Sequence, residues 1–162
     1  MTAMAPTRTE TDLSFLLDHT SHVLRTRIAA ALAEIGLTAR MHCVLVHALA
    51  EERTQIQLAE LGDMDKTTMV VTVDALEKAA FAVRRPSSTD RRARIIAVTE
   101  SGAEIARRSQ EIVDRVHREA LGSLSAEQGA VLVQALNALA TGHLAAPVEG
   151  DRPARRARER AK

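Results

Sequence analysis

The sequence predicts a mainly α-helical fold with one small β-hairpin. Apolar residues recur at spacings of three and four along most of the chain, the periodicity of helices that bury one face. A single stretch, residues 82–98, instead has a short extended segment up to Pro86, then turn chemistry, then a segment rich in β-branched residues. Apolar residues make up 46% of the chain, yet its aromatics are two phenylalanines. An aliphatic, alanine-rich core of this kind is typical of helical proteins.

The first two helices are predicted from apolar periodicity and end signals. The first runs over residues 13–35, and Gly36 ends it as a C′ glycine. The second follows Thr38 as N-cap and stops at the polar residues 51–53.

The third and fourth helices are predicted to form a helix-turn-helix. Thr54 and Gln57 make a capping box for a two-turn helix that ends near Gly62, and Asp65 caps the next helix. Two short helices across a tight glycine-containing turn are typical of that motif. The inner face of the fourth helix is expected to consist of Met69, Val70, Val73 and Leu76.

The hairpin and two further helices complete the pattern. Residues 82–85 and 95–98 are the expected strands, and residues 87–90 have turn chemistry. Thr99 is expected to cap a long helix, and Ser125 with Gln128 opens a last helix that ends at Gly142. Residues 1–11 and the basic tail, residues 146–162, are expected to be disordered. The tail either adds phosphate contacts or is simply solvated.

Charge and cysteine content limit the functions that are compatible with the chain. Lysine and arginine total 22 against 21 acids, so any nucleic-acid site must be a local patch. The single cysteine, Cys43, excludes an internal disulfide. Without a signal-like or bilayer-length apolar segment, we expect a cytoplasmic protein with no membrane contact.

Two segments have the chemistry of DNA contacts. The N-terminal turns of a recognition helix need small or polar side chains to reach base edges, and the fourth helix supplies Lys66, Thr67, Thr68 and Thr72. The hairpin concentrates arginines, which suit phosphates and a narrow minor groove, and it has one acid, Asp90, that can hold Arg92. Its predicted contact residues are Arg84, Arg85, Asp90, Arg91, Arg92 and Arg94. Alternatively, the helix is an ordinary amphipathic one and the hairpin tip is solvated.

Together these segments resemble the MarR (multiple antibiotic resistance regulator) family of winged-helix repressors. The resemblance lies in TQIQLAEL (residues 54–61), DKTTMVVTVDALEK (65–78), the arginines at 84–85, STDRR (88–92) and AVTESG (97–102). It implies a winged helix-turn-helix domain over residues 12–145. Its DNA-binding lobe would cover about 38–99, and its long N- and C-terminal dimerisation helices about 12–36 and 100–145.

The resemblance also implies a homodimer on a pseudo-palindromic operator in double-stranded DNA. The apolar residues of the first and last helices would otherwise remain exposed, although packing within one chain is the alternative. The chain departs from the family at Ala80, where glycine is usual. Alanine is strained in a left-handed cap, so the helix end is expected to be shaped differently here.

The expected function is a transcriptional repressor that a small anionic or aromatic effector releases from DNA. Candidate pocket residues are His19, His22, Arg25, Met41, His42 and His47. Surface histidines at a dimer junction are the alternative. Other possibilities are a zinc sensor using His19 and His22, a redox sensor using Cys43, or an architectural DNA binder without a ligand. We expect no enzyme activity, because Ser123 and Ser125 lack a nucleophile context, and no cofactor.

Overall fold

The computed structural model describes residues 12–87 and 93–146 and confirms the predicted mainly helical fold with one hairpin. The described elements are α1 (Leu13–Ala33), α2 (Ala39–Ala50), α3 (Gln55–Leu61), α4 (Lys66–Lys78), β1 (Ala82–Pro86), β2 (Arg94–Val98), α5 (Glu100–Leu121) and α6 (Ala126–Thr141). The chain divides into two compact units, Met1–Ala120 and Leu121–Lys162, which we describe separately. The segments predicted to be disordered, residues 1–11 and nearly all of 146–162, lie outside the described residues. Over the part that is described, no helix has both the length and the apolar character needed to cross a membrane.

The predicted helix starts are confirmed at the level of single hydrogen bonds. In each case the cap side chain accepts from the backbone N–H three residues later, which satisfies a donor that the first turn leaves without an intrahelical partner. The residues are Thr38, Thr54, Asp65, Thr99 and Ser125. Both predicted capping boxes are complete.

The hairpin is tied to the helix-turn-helix by a contact that the sequence did not predict. β1 and β2 pair antiparallel, with Ala82 opposite Val98 and Pro86 opposite Arg94. Thr54, the cap of α3, forms an additional antiparallel bridge with Ile95. The backbone N–H of Ile96 also donates to the carbonyl of Arg53 at 3.3 Å. The hairpin and the start of α3 therefore hold each other in register.

The core of the first unit is aliphatic, as predicted, and joins α2, α3, α4 and the hairpin. Its fully buried large side chains include Leu32, Leu37, Val44, Leu45, Leu58, Met69, Val73, Leu76 and Ile96. Val70, which was expected to belong to this face of α4, is 36% exposed, so that expectation is wrong. Burial of the remaining α4 side chains fixes the rotation of this helix about its axis.

Three helices of the first unit, α1, α3 and α4, end in the same hydrogen-bonded motif. After α1, Gly36 has φ +74°, and Leu37 N–H donates to the Leu32 carbonyl at 3.1 Å. After α3, Asp63 has φ +47°, and Met64 N–H donates to the Ala59 carbonyl at 2.9 Å. After α4, Ala80 has φ +58°, and Phe81 N–H donates to the Leu76 carbonyl at 2.9 Å. All three are Schellman motifs, so the expectation that Ala80 gives a differently shaped helix end is wrong. The alanine adopts the conformation that glycine favours.

Candidate DNA interface

The first turn of α4 presents the predicted polar residues unequally. Lys66 and Thr67 are exposed, whereas Thr68 is half-buried. The Thr68 backbone N–H donates to Asp65 Oδ1 at 2.9 Å, and its hydroxyl donates to Asp65 Oδ2 at 2.6 Å. These bonds from Thr68 lower the pKa of the Asp65 carboxyl. Thr68 therefore holds the cap, and Lys66 and Thr67 are the side chains that face solvent.

Thr72 does not lie on the exposed face of α4, which corrects the sequence-based expectation. The residue is 6% exposed, and its hydroxyl donates to the Thr68 carbonyl at 2.8 Å. It lies on the same face as Met69 and Leu76, and its internal hydrogen bond satisfies the hydroxyl there. A groove-facing role for Thr72 is incompatible with this position.

Sequence reasoning missed two apolar residues on the solvent side of α4. Val71 is 62% exposed and follows Thr67 by four residues, the spacing that places two side chains on one face. Val70 lies beside them. The signal that could have found them is the run of consecutive valines, only part of which fits a single buried face.

Arg84 on β1 forms ion pairs with acidic residues of α4. Its guanidinium donates to the Asp74 carboxylate at 2.7 Å and to the Glu77 carboxylate, and its backbone N–H donates to Glu77 at 2.8 Å. Its Nε also lies 3.4 Å from Gln55 Oε1 on α3. This set of bonds conflicts with the expectation that Arg84 contacts DNA. It makes Arg84 a brace between the hairpin and the recognition helix.

The other hairpin residues of the predicted interface divide into described and undescribed ones. Arg85 and Arg94 are both exposed. Arg94 pairs with Pro86 and Arg85 with Ile95, so the two arginines occupy neighbouring rungs of the ladder and opposite faces of the hairpin. The predicted contacts Asp90, Arg91 and Arg92 lie outside the described residues.

The base of the hairpin is joined closely to α5. A Cβ on Gly102 would lie 1.9 Å from the Phe81 carbonyl oxygen, so any side chain there would collide with backbone. Thr99 N–H donates to the same oxygen at 3.0 Å, and the Thr99 hydroxyl donates to the Ala80 carbonyl at 2.7 Å. The glycine of the AVTESG segment is therefore required by this approach of helix to hairpin.

The predicted effector residues are distributed between solvent and core. On α1, His19, His22 and Arg25 are exposed, and the rings of His19 and Phe15 stack with centroids 5.5 Å apart. On α2, Met41 is buried in the core.

His42 contacts α5 through a polar residue that the sequence did not indicate. Its Nδ1 lies 2.8 Å from the hydroxyl of the fully buried Ser109. That hydroxyl donates its proton to the Ala106 carbonyl at 2.7 Å, so the imidazole nitrogen is the donor to Ser109. Burial lowers the pKa of His42, the charge of Asp114 opposes this shift, and His47 and His117 reinforce it. A polar cluster thus joins α2 to α5, with His47 half-buried at its side.

The described part of the chain gives little support for a metal-sensing or redox-sensing function. Residues 12–87 and 93–146 contain no group of three or more histidine, cysteine or acidic side chains arranged to hold a metal. Cys43 is half-buried, and desolvation together with Asp63 raises its pKa. A raised pKa disfavours the reactive thiolate.

Comparison with known proteins matches both the sequence and the fold. The MarR family model matches residues 35–93, which include α2, α3, α4 and β1. The crystal structure of CouR from Rhodococcus jostii RHA1 bound to p-coumaroyl-CoA is similar to this chain, with a TM-score of 0.73 and 27% sequence identity. The match covers 82% of this chain and 94% of CouR.

Two further structures show the same architecture. The transcriptional repressor CouR bound to a 23-mer DNA duplex gives a TM-score of 0.69 at 24% identity, over 80% of this chain and 92% of that one. A Mycobacterium tuberculosis MarR family protein in complex with p-aminosalicylic acid gives 0.67 at 25% identity, over 78% and 97%. The chain is therefore similar to MarR family transcriptional regulators, in sequence over residues 35–93 and in fold over most of its length.

Proposed function

We propose that the protein is a sequence-specific repressor that binds a pseudo-palindromic operator as a homodimer and leaves it when a small anionic or aromatic effector binds. The observation that carries this proposal is the pairing of α4 with the hairpin. Arg84 holds the two elements together, while Lys66 and Thr67 face solvent at the N-terminus of α4. A recognition helix needs this combination of rigid support and free polar side chains at its start.

The proposed DNA contacts follow from exposure. Lys66 and Thr67 enter the major groove, and Arg85 and Arg94 of the hairpin reach phosphates. Asp90, Arg91 and Arg92 keep the roles proposed from sequence, with Arg92 in the minor groove and Asp90 as its partner. Thr72 and Arg84 are left out of the contact set because their polar groups are engaged within the protein.

Exposed apolar faces in each unit support the homodimer. In the first unit, α1 exposes Leu13 and Leu16, and in the second, α6 exposes Val131, Leu132 and Leu136. Contiguous apolar faces of this kind are unusual on soluble monomers, and a two-fold partner would cover them. We expect Leu132→Asp to dissociate the dimer in sedimentation velocity and to weaken operator binding.

The effector proposal rests on the histidines and on the relatives. CouR and the M. tuberculosis protein are bound to p-coumaroyl-CoA and p-aminosalicylic acid, both of which carry an aromatic ring and an anionic group. His19, His22 and Arg25 are exposed donors on α1, and His42 and His47 are half-buried on α2. A titration of the operator complex with small aromatic acids tests release directly, and His22→Ala with Arg25→Ala should raise the concentration needed.

Footprinting of the purified protein on its own genomic DNA is the main test of the function. We expect two protected half-sites about 10 base pairs apart, or a multiple of this, because each protomer places one recognition helix in a major groove. Arg92→Ala should weaken operator binding at fixed salt. The matched control is Arg107→Ala, since Arg107 is exposed on α5 and pairs with Glu104 and Glu111.

Two results would contradict the proposal. Equal affinities of Arg92→Ala and wild type would remove the hairpin from the interface. A specificity ratio near one for operator over random DNA would identify an architectural DNA binder instead.

A further inference from the structure

The solvent side of α4 carries an apolar pair that the fold does not use. Helical spacing places Thr67, Val70, Val71 and Asp74 on one side of the helix, and Met69, Val73 and Leu76 on the buried side. The buried side already packs against the core, so the exposed valines contribute nothing to that packing. Valine is also a poor choice for an exposed helix position on propensity grounds.

The surroundings of Val71 are those of a base-contacting position. It follows Thr67 by one helical turn and precedes Asp74, whose carboxylate is bonded to Arg84 at 2.7 Å. That ion pair offsets the charge of Asp74, and the Asp65 carboxylate at the helix start is bonded to Thr68. The face from Lys66 to Val71 is therefore a short cationic, hydroxyl and apolar strip.

We propose that Val71 selects thymine in the operator by contacting its C5 methyl group in the major groove. This inference rests on the proposed function and specifies what the recognition helix recognises. The thymine methyl is the apolar feature of the major groove, and small apolar side chains are its usual partners. Val70 flanks the contact and excludes water from it, while Lys66 and Thr67 supply the polar contacts at the helix start.

The test removes the methyl group from the DNA and the side chain from the protein, separately and together. The probe is a duplex of the highest-affinity sequence that the protein selects from a random pool. Thymines are replaced one at a time by deoxyuridine, which lacks only the C5 methyl. We expect one position per half-site at which this change weakens wild-type binding about 4-fold, and about 15-fold when both half-sites are changed, the effect of exposing a buried methyl.

The protein variant should remove this dependence. Val71→Ala is expected to bind the thymine operator about as weakly as the wild type binds the deoxyuridine operator, and to lose its response to deoxyuridine at that position. Leu49→Ala is the matched control, because Leu49 is an exposed apolar residue on α2 and not on α4. It should retain both wild-type affinity and the methyl response.

The outcomes separate this inference from the function on which it rests. Because deoxyuridine changes only the DNA, its effect does not depend on the stability of any variant. A selected operator whose wild-type affinity is independent of thymine methyls would overturn the role of Val71 and leave the repressor proposal intact. Retention of the full methyl response by Val71→Ala would overturn that role in the same way. Failure to select any preferred sequence would overturn both.

Discussion

Replacing Ala80 with glycine should stabilise this protein, because the structure holds an L-residue where the backbone favours glycine. Ala80 has φ +58° at the C′ position of α4, between the hydrogen bonds Ala80 N–H to Glu77 carbonyl and Phe81 N–H to Leu76 carbonyl, both 2.9 Å. Those bonds and the close approach of the Phe81 carbonyl to Gly102 hold the chain in this conformation. The strain of the alanine is therefore retained in the folded state.

The size of the effect follows from two opposing terms. Relief of left-handed strain contributes about 1–2 kcal/mol. The greater freedom of glycine in the unfolded chain offsets about 0.4–1 kcal/mol of this. The Ala80 methyl is exposed, so its removal loses little burial. We expect Ala80→Gly to gain about 0.5–1 kcal/mol in the free energy of unfolding, or roughly 1–4 °C in Tm for a chain of this length.

Thermal and urea unfolding at one fixed protein concentration would measure the difference, since the proposed dimerisation would couple stability to concentration. Ala79→Gly is the matched control, because Ala79 is also exposed but has φ −81°. It should lose about 0.5–1 kcal/mol. Gly36→Ala is the reverse experiment. Its φ is +74° and a Cβ there meets nothing within 4 Å, so any loss of stability reports backbone strain alone.

An Ala80→Gly variant no more stable than the wild type would refute this prediction. That result would mean that left-handed strain at Ala80 is negligible or is relieved by a local shift. A gain of stability in Gly36→Ala would contradict the same strain from the opposite side.

Three further predictions concern the contacts around the site. Gly102→Ala should lower the free energy of unfolding by more than about 2 kcal/mol, because its Cβ would meet the Phe81 carbonyl oxygen at 1.9 Å. Gly129→Ala is the control in the same unfolding assay. A Cβ there meets nothing within 4 Å, so this change should stabilise α6. Burial lowers the pKa of His42, so the unfolded chain binds more protons and stability should fall as pH drops below about 6.5; His42→Asn should show a smaller fall in urea titrations across that range. Arg84→Met should weaken operator binding without changing how steeply the affinity falls with salt concentration, because Arg84 is bonded within the protein. Arg85→Ala should make that dependence less steep. A less steep dependence in Arg84→Met would mean that Arg84 does contact DNA.

The helix ends show how much of the fold is predictable from sequence. The caps at Thr38, Thr54 and Asp65, and both capping boxes, are formed as predicted. Each depends on a hydrogen bond that spans three residues, so the residues involved are neighbours in the sequence. The hairpin was predictable for a similar reason, since its turn and the β-branched strand that follows it are contiguous.

Site residues were less predictable because their environment is set by distant parts of the chain. Thr72 is polar and on the recognition helix, yet the core buries it. Arg84 has the charge for DNA, but residues on α4 and α3 occupy its guanidinium. Helical spacing from Met69 could have placed Thr72 on the buried face, whereas charge alone does not distinguish Arg84 from the exposed Arg85.

The sequence by itself therefore determined the order, type and ends of the elements, and the resemblance to the MarR family. Tertiary structure decided the rotation of α4, the ion pairing of Arg84 with that helix, the left-handed backbone at Ala80 and the exposure of Val71. The physical reason is the distance along the chain over which each interaction acts. Helix caps and periodicity arise from interactions within a few residues, whereas burial and ion pairing depend on which distant side chains the core brings to the same place.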